Sequence, residues 1–196
     1  RKEVLSGYFA AVTAMDYNIG RVFDKLKELN IRENTIIIFS SDNGMNMGHH
    51  GIFGKGNGTF PQNMYDSSVK VPMIISMPGS ITARKKSNNI LSHYDFMPTI
   101  LDYLNIDYQL DENLPGKSFA SILEGEEISE ENKEIVVFDE YGPVRMIRNK
   151  KWKYIHRYPY GPNELYDLKN DPGEINNLIN EDYEEIVSEM KDKLEK

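Results

Sequence analysis

Tyr8, Val12, Met15, Ile19, Val22, Leu26 and Leu29 recur at alternating spacings of four and three, which lines them along one face of a helix. Asn30 is a residue type that stops such a helix, and Asn34-Thr35 leads into the β-branched run Ile36-Ile37-Ile38-Phe39. A helix, a short loop and a near-continuous apolar strand predict an α/β domain with a buried parallel sheet. Val71-Pro72-Met73-Ile74-Ile75-Ser76-Met77 repeats the strand pattern, with Pro72 confined to its start or to an unpaired side, and Pro78-Gly79 ends it. A short helix is expected after Pro98, through Ile100, Leu101 and Leu104. From Ile135 the pattern shortens. Ile135-Val136-Val137-Phe138, Val144-Arg145-Met146-Ile147-Arg148 and Lys153-Tyr154-Ile155-His156 predict an antiparallel meander or hairpin. Tyr183, Ile186, Val187, Met190 and Leu194 then share one face of a closing helix.

Composition narrows the classes open to this chain. Its 196 residues suit one large domain, or a domain with a small appendage, and 39% hydrophobic content supports a core. We place the boundary in the acidic stretch near Leu123 to Asn132, giving a main part over 1–128 and a small α+β part over 129–196. The net charge of −8 and pI near 5.1 exclude general nucleic-acid binding, which needs a basic footprint. Asp107 to Glu140 holds eleven acids, whereas Tyr141 to Tyr160 holds six Arg or Lys and no acid. Such blocks are usually solvated surface. There is no cysteine, which removes disulfides, zinc-thiolate sites and a thiol nucleophile and leaves the compartment, cytoplasmic or secreted, undecided. No stretch approaches the roughly 20 apolar residues that span a bilayer. The chain opens on Arg1-Lys2-Glu3-Val4 directly into a helical pattern, as expected of a later part of a longer protein.

The chemistry concentrates where the first strand ends. Asp42-Asn43-Gly44 follows Ser40-Ser41, and ligands of open α/β sheets bind at that carboxyl edge. A carboxylate beside an amide carbonyl offers hard oxygen ligands, suited to Ca²⁺ or Mg²⁺. His49, His50 and Lys55 follow in Gly48-His49-His50-Gly51-Ile52-Phe53-Gly54-Lys55-Gly56, so the parts of an anion-handling metal site lie within one short stretch. No obvious nucleophile stands nearby. Taken alone, an Asp-Asn-Gly after a strand is more often a plain turn, and a loop Lys or His is more often solvated. Elsewhere the structural readings lead. Asp95 suits an N-terminal cap or turn beside His93, and Asp16 a structural hydrogen bond within the first helix. Arg145, Arg148 and His156 suit a solvated basic hairpin rather than contact with a leaving group, and Trp152 and Tyr154 suit packing.

Several ordered motifs resemble the sulfatase family of the alkaline-phosphatase-like superfamily. Tyr8-Phe9-Ala10-Ala11-Val12-Thr13-Ala14-Met15-Asp16 with Ile19-Gly20 looks like the helix before the family's metal-binding strand, and Asn34 through Gly44 looks like that strand and its ligands. Gly48-His49-His50-Gly51 and Gly54-Lys55-Gly56 resemble the loop with the active-site His and Lys. Val71-Pro72-Met73-Ile74, Met77-Pro78-Gly79 and Asp95-Phe96-Met97-Pro98-Thr99-Ile100-Leu101 fit later segments. Glu164-Leu165-Tyr166-Asp167-Leu168, Asp171-Pro172 and Asn177-Leu178 resemble the C-terminal subdomain. The C/S-x-P-x-R segment, whose Cys or Ser becomes formylglycine, has no counterpart here, nor has a further pair of acidic metal ligands. His49 stands where many relatives place an acid.

The resemblance implies an α/β fold: a partial alkaline-phosphatase-like sheet flanked by helices, with a small C-terminal antiparallel sheet and helix. It implies the C-terminal portion of a metal-dependent sulfatase that hydrolyses sulfate esters of small molecules or glycans. Asp42 and Asn43 would be metal ligands, Ca²⁺ ahead of Mg²⁺ or Mn²⁺, while His50 and Lys55 would act on the anion. Formylglycine would come from the N-terminal half of the same protein, so the isolated piece should be inactive and prone to self-association. The alternatives are a phosphodiesterase, phosphonate monoester hydrolase or phosphoglycerol transferase of the same superfamily, or a non-catalytic interaction module.

Overall fold

The computed structural model describes residues 2–109, 113–126, 133–139 and 143–195. Its helices are α1 (Lys2–Glu28), α2 (Asp66–Val69), α3 (Phe96–Tyr103), α4 (Ala120–Leu123) and α5 (Glu184–Leu194). Its strands are β1 (Ile37–Ser40), β2 (Asn46–Met47), β3 (Phe53–Gly54), β4 (Met73–Ser76), β5 (Ile135–Phe138), β6 (Val144–Arg148), β7 (Trp152–Arg157) and β8 (Glu164–Asp167). The chain divides into two compact units, one of Arg1–Asp42 with Val71–Lys85 and one of Asn43–Lys70 with Lys86–Lys196. The boundary expected between residues 128 and 129 lies outside the described residues. No helix among the described residues is long and apolar enough to cross a membrane.

In the first unit, α1 ends as its sequence predicts. Asn30 adopts the left-handed conformation with φ of 55°, and the Ile31 amide returns to the Leu26 carbonyl at 3.0 Å. The apolar stripe is formed but uncovered, for Tyr8, Val12, Met15, Val22 and Leu29 are all exposed. β1 pairs with β4 in register Ile37 with Ser76 and Ser40 with Met73. That pairing is antiparallel, and all four residues of β1 are only partly buried, which corrects the expectation of a buried parallel strand. A parallel return needs a crossover of a dozen or more residues, usually an α-helix, and the one α-helix between these strands, α2, has four residues. Pro72 falls just before β4, where its missing amide costs no ladder bond.

The second unit is built on an antiparallel sheet in the order β5-β6-β7-β8. Alternation sends successive side chains to opposite faces. One face collects Ile147, Trp152, Tyr154 and Leu165 against Met190 and Leu194 of α5. The other collects Val144, Met146, Ile155 and Tyr166 with Met64 and Leu168. Trp152 and Tyr154 are therefore packing residues, as expected. β8 was not legible as a strand, because its four residues acquire that state by pairing with β7. The helix around Pro98 starts at Phe96, since proline is tolerated in a first helical turn. Asp95 is a structural anchor beyond a cap: its carboxylate accepts from the amides of Ser92 and Lys117 and from Lys133 Nζ at 2.8–2.9 Å.

Candidate active site at the exit of the first strand

Asp42 ends the first unit and Asn43 opens the second. The exposed Asp42 carboxylate accepts from the Ser41 hydroxyl at 3.3 Å. The Asn43 amide is oriented by its own neighbour, since Nδ2 donates to the Gly44 carbonyl at 2.7 Å. Its Oδ1 accepts from Lys55 Nζ at 3.0 Å. Two of the residues singled out in the sequence, twelve positions apart, thus meet in space.

Between them the chain folds back as the β2–β3 hairpin, with Asn46 opposite Gly54 and Met47 opposite Phe53. Gly48 and Gly51 take positive φ, and so does His50 with φ of 50°, the left-handed region uncommon for a residue with a side chain. The His50 ring stacks on Tyr65, with centroids 3.7 Å apart and planes 6° from parallel. His49 Nδ1 instead accepts from the Met47 amide at 3.4 Å, so that ring turns back on its own backbone. His50 takes its position from Tyr65, whereas Lys55 takes its position from Asn43.

Behind this exposed loop lies a buried polar cluster that sequence reasoning missed. Asn46, Asn63 and Ser68 are 0%, 4% and 3% exposed. Asn46 Nδ2 donates to Ser68 Oγ at 2.6 Å and to the Gly54 carbonyl at 3.2 Å. Ser68 Oγ donates to Asn63 Oδ1, and Asn63 donates to the Gly56 carbonyl through both its amide and Nδ2 at 3.0 Å. The Ser68 carbonyl accepts from the Gly44 amide at 2.8 Å. Gly44 has to be glycine here, because a Cβ would stand 2.3 Å from the Ser67 carbonyl oxygen.

The α2 turn is anchored in turn to the C-terminal sheet. Asp66 pairs with Arg148 through both carboxylate oxygens at 2.7 Å and with Lys153 at 2.5 Å, and Lys153 also meets Glu174. Burial pushes the Asp66 carboxyl up, but Lys153 and Arg148 more than offset it, and the group titrates below its usual value. Arg148 is therefore a mostly buried ion-pair partner and His156 a buried ring, which corrects the solvated-hairpin expectation for both. Arg145 lies over the rings of Phe138 and Tyr158. The signal that could have exposed this cluster is Lys153 itself, a cation inside Trp152-Lys153-Tyr154-Ile155.

Among the described residues no group of three or more His, Cys, Asp or Glu could by itself hold a metal ion. Residues 48–196 match the family described as N-sulphoglucosamine sulphohydrolase, C-terminal. The chain belongs to the sulfatase family. It is 33% identical to an N-acetylglucosamine-6-O-sulfatase of Bacteroides thetaiotaomicron over 91% of this chain and 32% of that protein. A protein solved in complex with its substrate D-glucosamine-2-N,6-O-disulfate superposes with a TM-score of 0.81 at 32% identity, covering 94% of this chain and 38% of the other. The phosphonate monoester hydrolase of Agrobacterium radiobacter superposes at 0.75 with 28% identity, over 91% and 38%. The chain thus spans about a third of the length of the sulfatases it matches. The mixed α/β architecture with a small antiparallel sheet and helix agrees with this sulfatase C-terminal region.

Proposed function

We propose that the protein carrying this chain is a metal-dependent sulfatase that hydrolyses sulfate esters of small molecules or glycans. The observation that carries the reading is Lys55 Nζ on Asn43 Oδ1 at 3.0 Å, directly after the Asp42 carboxylate. An amide oxygen next to a carboxylate is a hard donor set that suits a divalent ion, and the Lys55 ammonium on Asn43 Oδ1 is a cation that would move from that oxygen to the anion when a metal ion binds. Asp42 and Asn43 would hold Ca²⁺, with Mg²⁺ or Mn²⁺ as alternatives. Ca²⁺ takes about 6–8 oxygens, so two residues are a minority share and the others come from the rest of the protein. When bound, the ion supplies Lewis-acid and charge stabilisation at the sulfate oxygens. Lys55 gives its ammonium to a sulfate oxygen, or to the bridging oxygen as charge builds there, and His50 donates a hydrogen bond or a proton to the anion. Tyr65 supports that role by fixing the plane of the His50 ring. The nucleophile, a formylglycine, comes from the N-terminal half of the same protein, and this chain alone is inactive. The uncovered apolar face of α1 supports packing of that half against it.

The intact protein is the material for the test. It should turn over an aryl sulfate, and Lys55→Ala should lower kcat/KM by about 10²–10³-fold, as loss of a transition-state charge contact does. Calcium titration calorimetry should show binding that Asp42→Ala abolishes. Near-wild-type turnover in Lys55→Ala overturns the assignment of the lysine, and unchanged affinity in Asp42→Ala that of the ligand. A second reading, hydrolysis of phosphonate monoesters, is favoured by the likeness to the Agrobacterium enzyme. Faster turnover of an aryl phosphonate monoester than of the aryl sulfate selects it. No turnover of either ester leaves the interaction module.

A further inference from the structure

We propose that Ser68 is a positioning residue for Lys55, acting through the two carbonyl groups that flank the lysine. This rests on Lys55 and Asn43 belonging to the active site. The residue before Lys55 is Gly54, whose carbonyl accepts from Asn46 Nδ2 at 3.2 Å. The residue after it is Gly56, whose carbonyl accepts from Asn63 Nδ2 at 3.0 Å. Both amides converge on the Ser68 hydroxyl, which accepts from Asn46 Nδ2 and donates to Asn63 Oδ1. That donation fixes which end of the Asn63 amide is oxygen, and so aims its nitrogen at Gly56. The Asn46 amide is held from its other end by the Ser67 hydroxyl, which donates to Oδ1. The carbonyl of the same Ser68 holds the Gly44 amide at 2.8 Å, next to Asn43, the partner of the Lys55 ammonium. One buried residue therefore sets the backbone on both sides of the lysine and beside its partner.

The energetics make this more than a packing contact. Lys55 is exposed and flanked by two glycines, so burial does not hold its long side chain and its backbone depends on the hydrogen bonds around it. A lysine has to be held near its working geometry for its charge to act at a developing anion, and a misplacement of about 1 Å can cost about 10²-fold in rate. The Ser68 oxygen is the one atom that both amides share. Alanine at this position leaves a donor on Asn46 and an acceptor on Asn63 short of one buried partner each. The Asn63 side chain can then rotate and take its Nδ2 off the Gly56 carbonyl, which keeps only the Asn63 backbone amide.

The test uses the intact protein and two readouts. The first is independent of catalysis: the rate at which the Lys55 amine is acylated by a water-soluble active ester, followed by mass spectrometry against Lys169 as an internal reference. Ser68→Ala should raise the Lys55 rate several-fold and leave Lys169 unchanged. The second is kinetic. Ser68→Ala should lower kcat for an aryl sulfate by about 10-fold or more in the natural background, yet by less than about 2-fold when Lys55 is already alanine, because residues acting through one another are not additive. Asn63→Asp, which keeps an acceptor for Ser68 and the backbone amide on Gly56 but loses the side-chain donor to Gly56, should reproduce both effects, and it replaces Ser68→Ala if that variant does not fold. An unchanged Lys55 acylation rate in the folded variants overturns the proposal. So does an equal loss of kcat in both backgrounds, which marks a merely structural role. If Lys55→Ala retains turnover, the sulfatase reading of Lys55 fails, while the acylation rates still decide whether Ser68 positions it.

Discussion

Lys153→Met removes one charge from a buried group of four and leaves the side-chain volume nearly unchanged. The Lys153 side chain is fully buried and Glu174 is 2% exposed, whereas Asp66 and Arg148 keep 20% and 17% exposure. Without the ammonium, Asp66 retains the two-pronged contact with Arg148 at 2.7 Å. Glu174 retains the Asp66 amide at 2.6 Å but loses its cation. Removing one partner of a buried pair costs about 3–5 kcal/mol, and the surviving arginine places this case near the lower end, about 3. At about 2–4 °C per kcal/mol for a chain of this size, the melting temperature should fall by about 6–12 °C. Thermal unfolding followed by circular dichroism reads the shift. Glu174→Gln separates charge from packing. Added to Lys153→Met, it should restore about 1–2 kcal/mol by removing the stranded carboxylate, a coupling within the range found for residues in one network. The pH dependence carries a sign as well. Asp66 is held below its usual value of 3.8, so its contribution is full above that pH and lost as pH falls through the lowered folded-state value. The gap between the natural protein and Lys153→Met should therefore narrow in acid. A melting temperature within 2 °C of the natural protein at neutral pH, or strictly additive single and double variants, refutes the reasoning.

Gly44→Ala should destabilise the protein by about 1–3 kcal/mol, because a Cβ 2.3 Å from the Ser67 carbonyl oxygen forces backbone movement in α2. Equilibrium urea unfolding checks it, and a midpoint equal to that of the natural protein argues against the close approach. The His156 imidazole is held below its ordinary 6.5 by burial and by Lys191 and Arg145, against the pull of Glu195, and its Nδ1 lies 2.7 Å from the Tyr154 hydroxyl. A depressed histidine contributes stability that is full above 6.5 and lost as pH falls through the folded-state value, because the unfolded chain binds the proton first. Urea midpoints at pH 7.5 and 5.5 should therefore differ less in His156→Gln than in the natural protein, and an identical pH slope in the two would reject that origin.

The longer helices α1, α3 and α5 were legible because their information is local, whereas the four-residue α2 and α4 were not. The stripe of α1 and the face of Ile186, Val187, Met190 and Leu194 in α5 follow from side-chain spacing alone, and Asn30 marks its stop by the conformation it tolerates. Strand orientation was not, because nothing within Ile37–Ser40 encodes what the chain does over the next thirty residues. Lys153 was illegible for a related reason. In a strand of period two it reads as a solvated position, and the carboxylates that justify its burial lie 87 and 21 residues away. Asn43 and Lys55 were recognisable as motif residues, but their contact depends on a hairpin whose strands are two residues each. Such strands are invisible to periodicity.

The division between legible and illegible residues follows a physical division of labour. In the proposed site Asp42 would face a metal ion and His50 and Lys55 an anion, and all three are exposed, so burial cannot hold them. Loops place side chains less accurately than helices or strands, and a site built on one needs support from behind. Here that support is polar, because it must grip backbone carbonyls rather than fill space. A polar cluster of this kind is tolerated in a core only when its members are paired, since each orphaned group costs about 1–3 kcal/mol. Asn46, Asn63 and Ser68 meet that condition by passing hydrogen bonds in one direction, amide to hydroxyl to amide oxygen. The direction cannot be reversed without turning the Asn63 nitrogen away from Gly56. Substitution at Ser68 is thus constrained by donor and acceptor order as well as by volume, and threonine, which keeps the hydroxyl, is the replacement that retains that order.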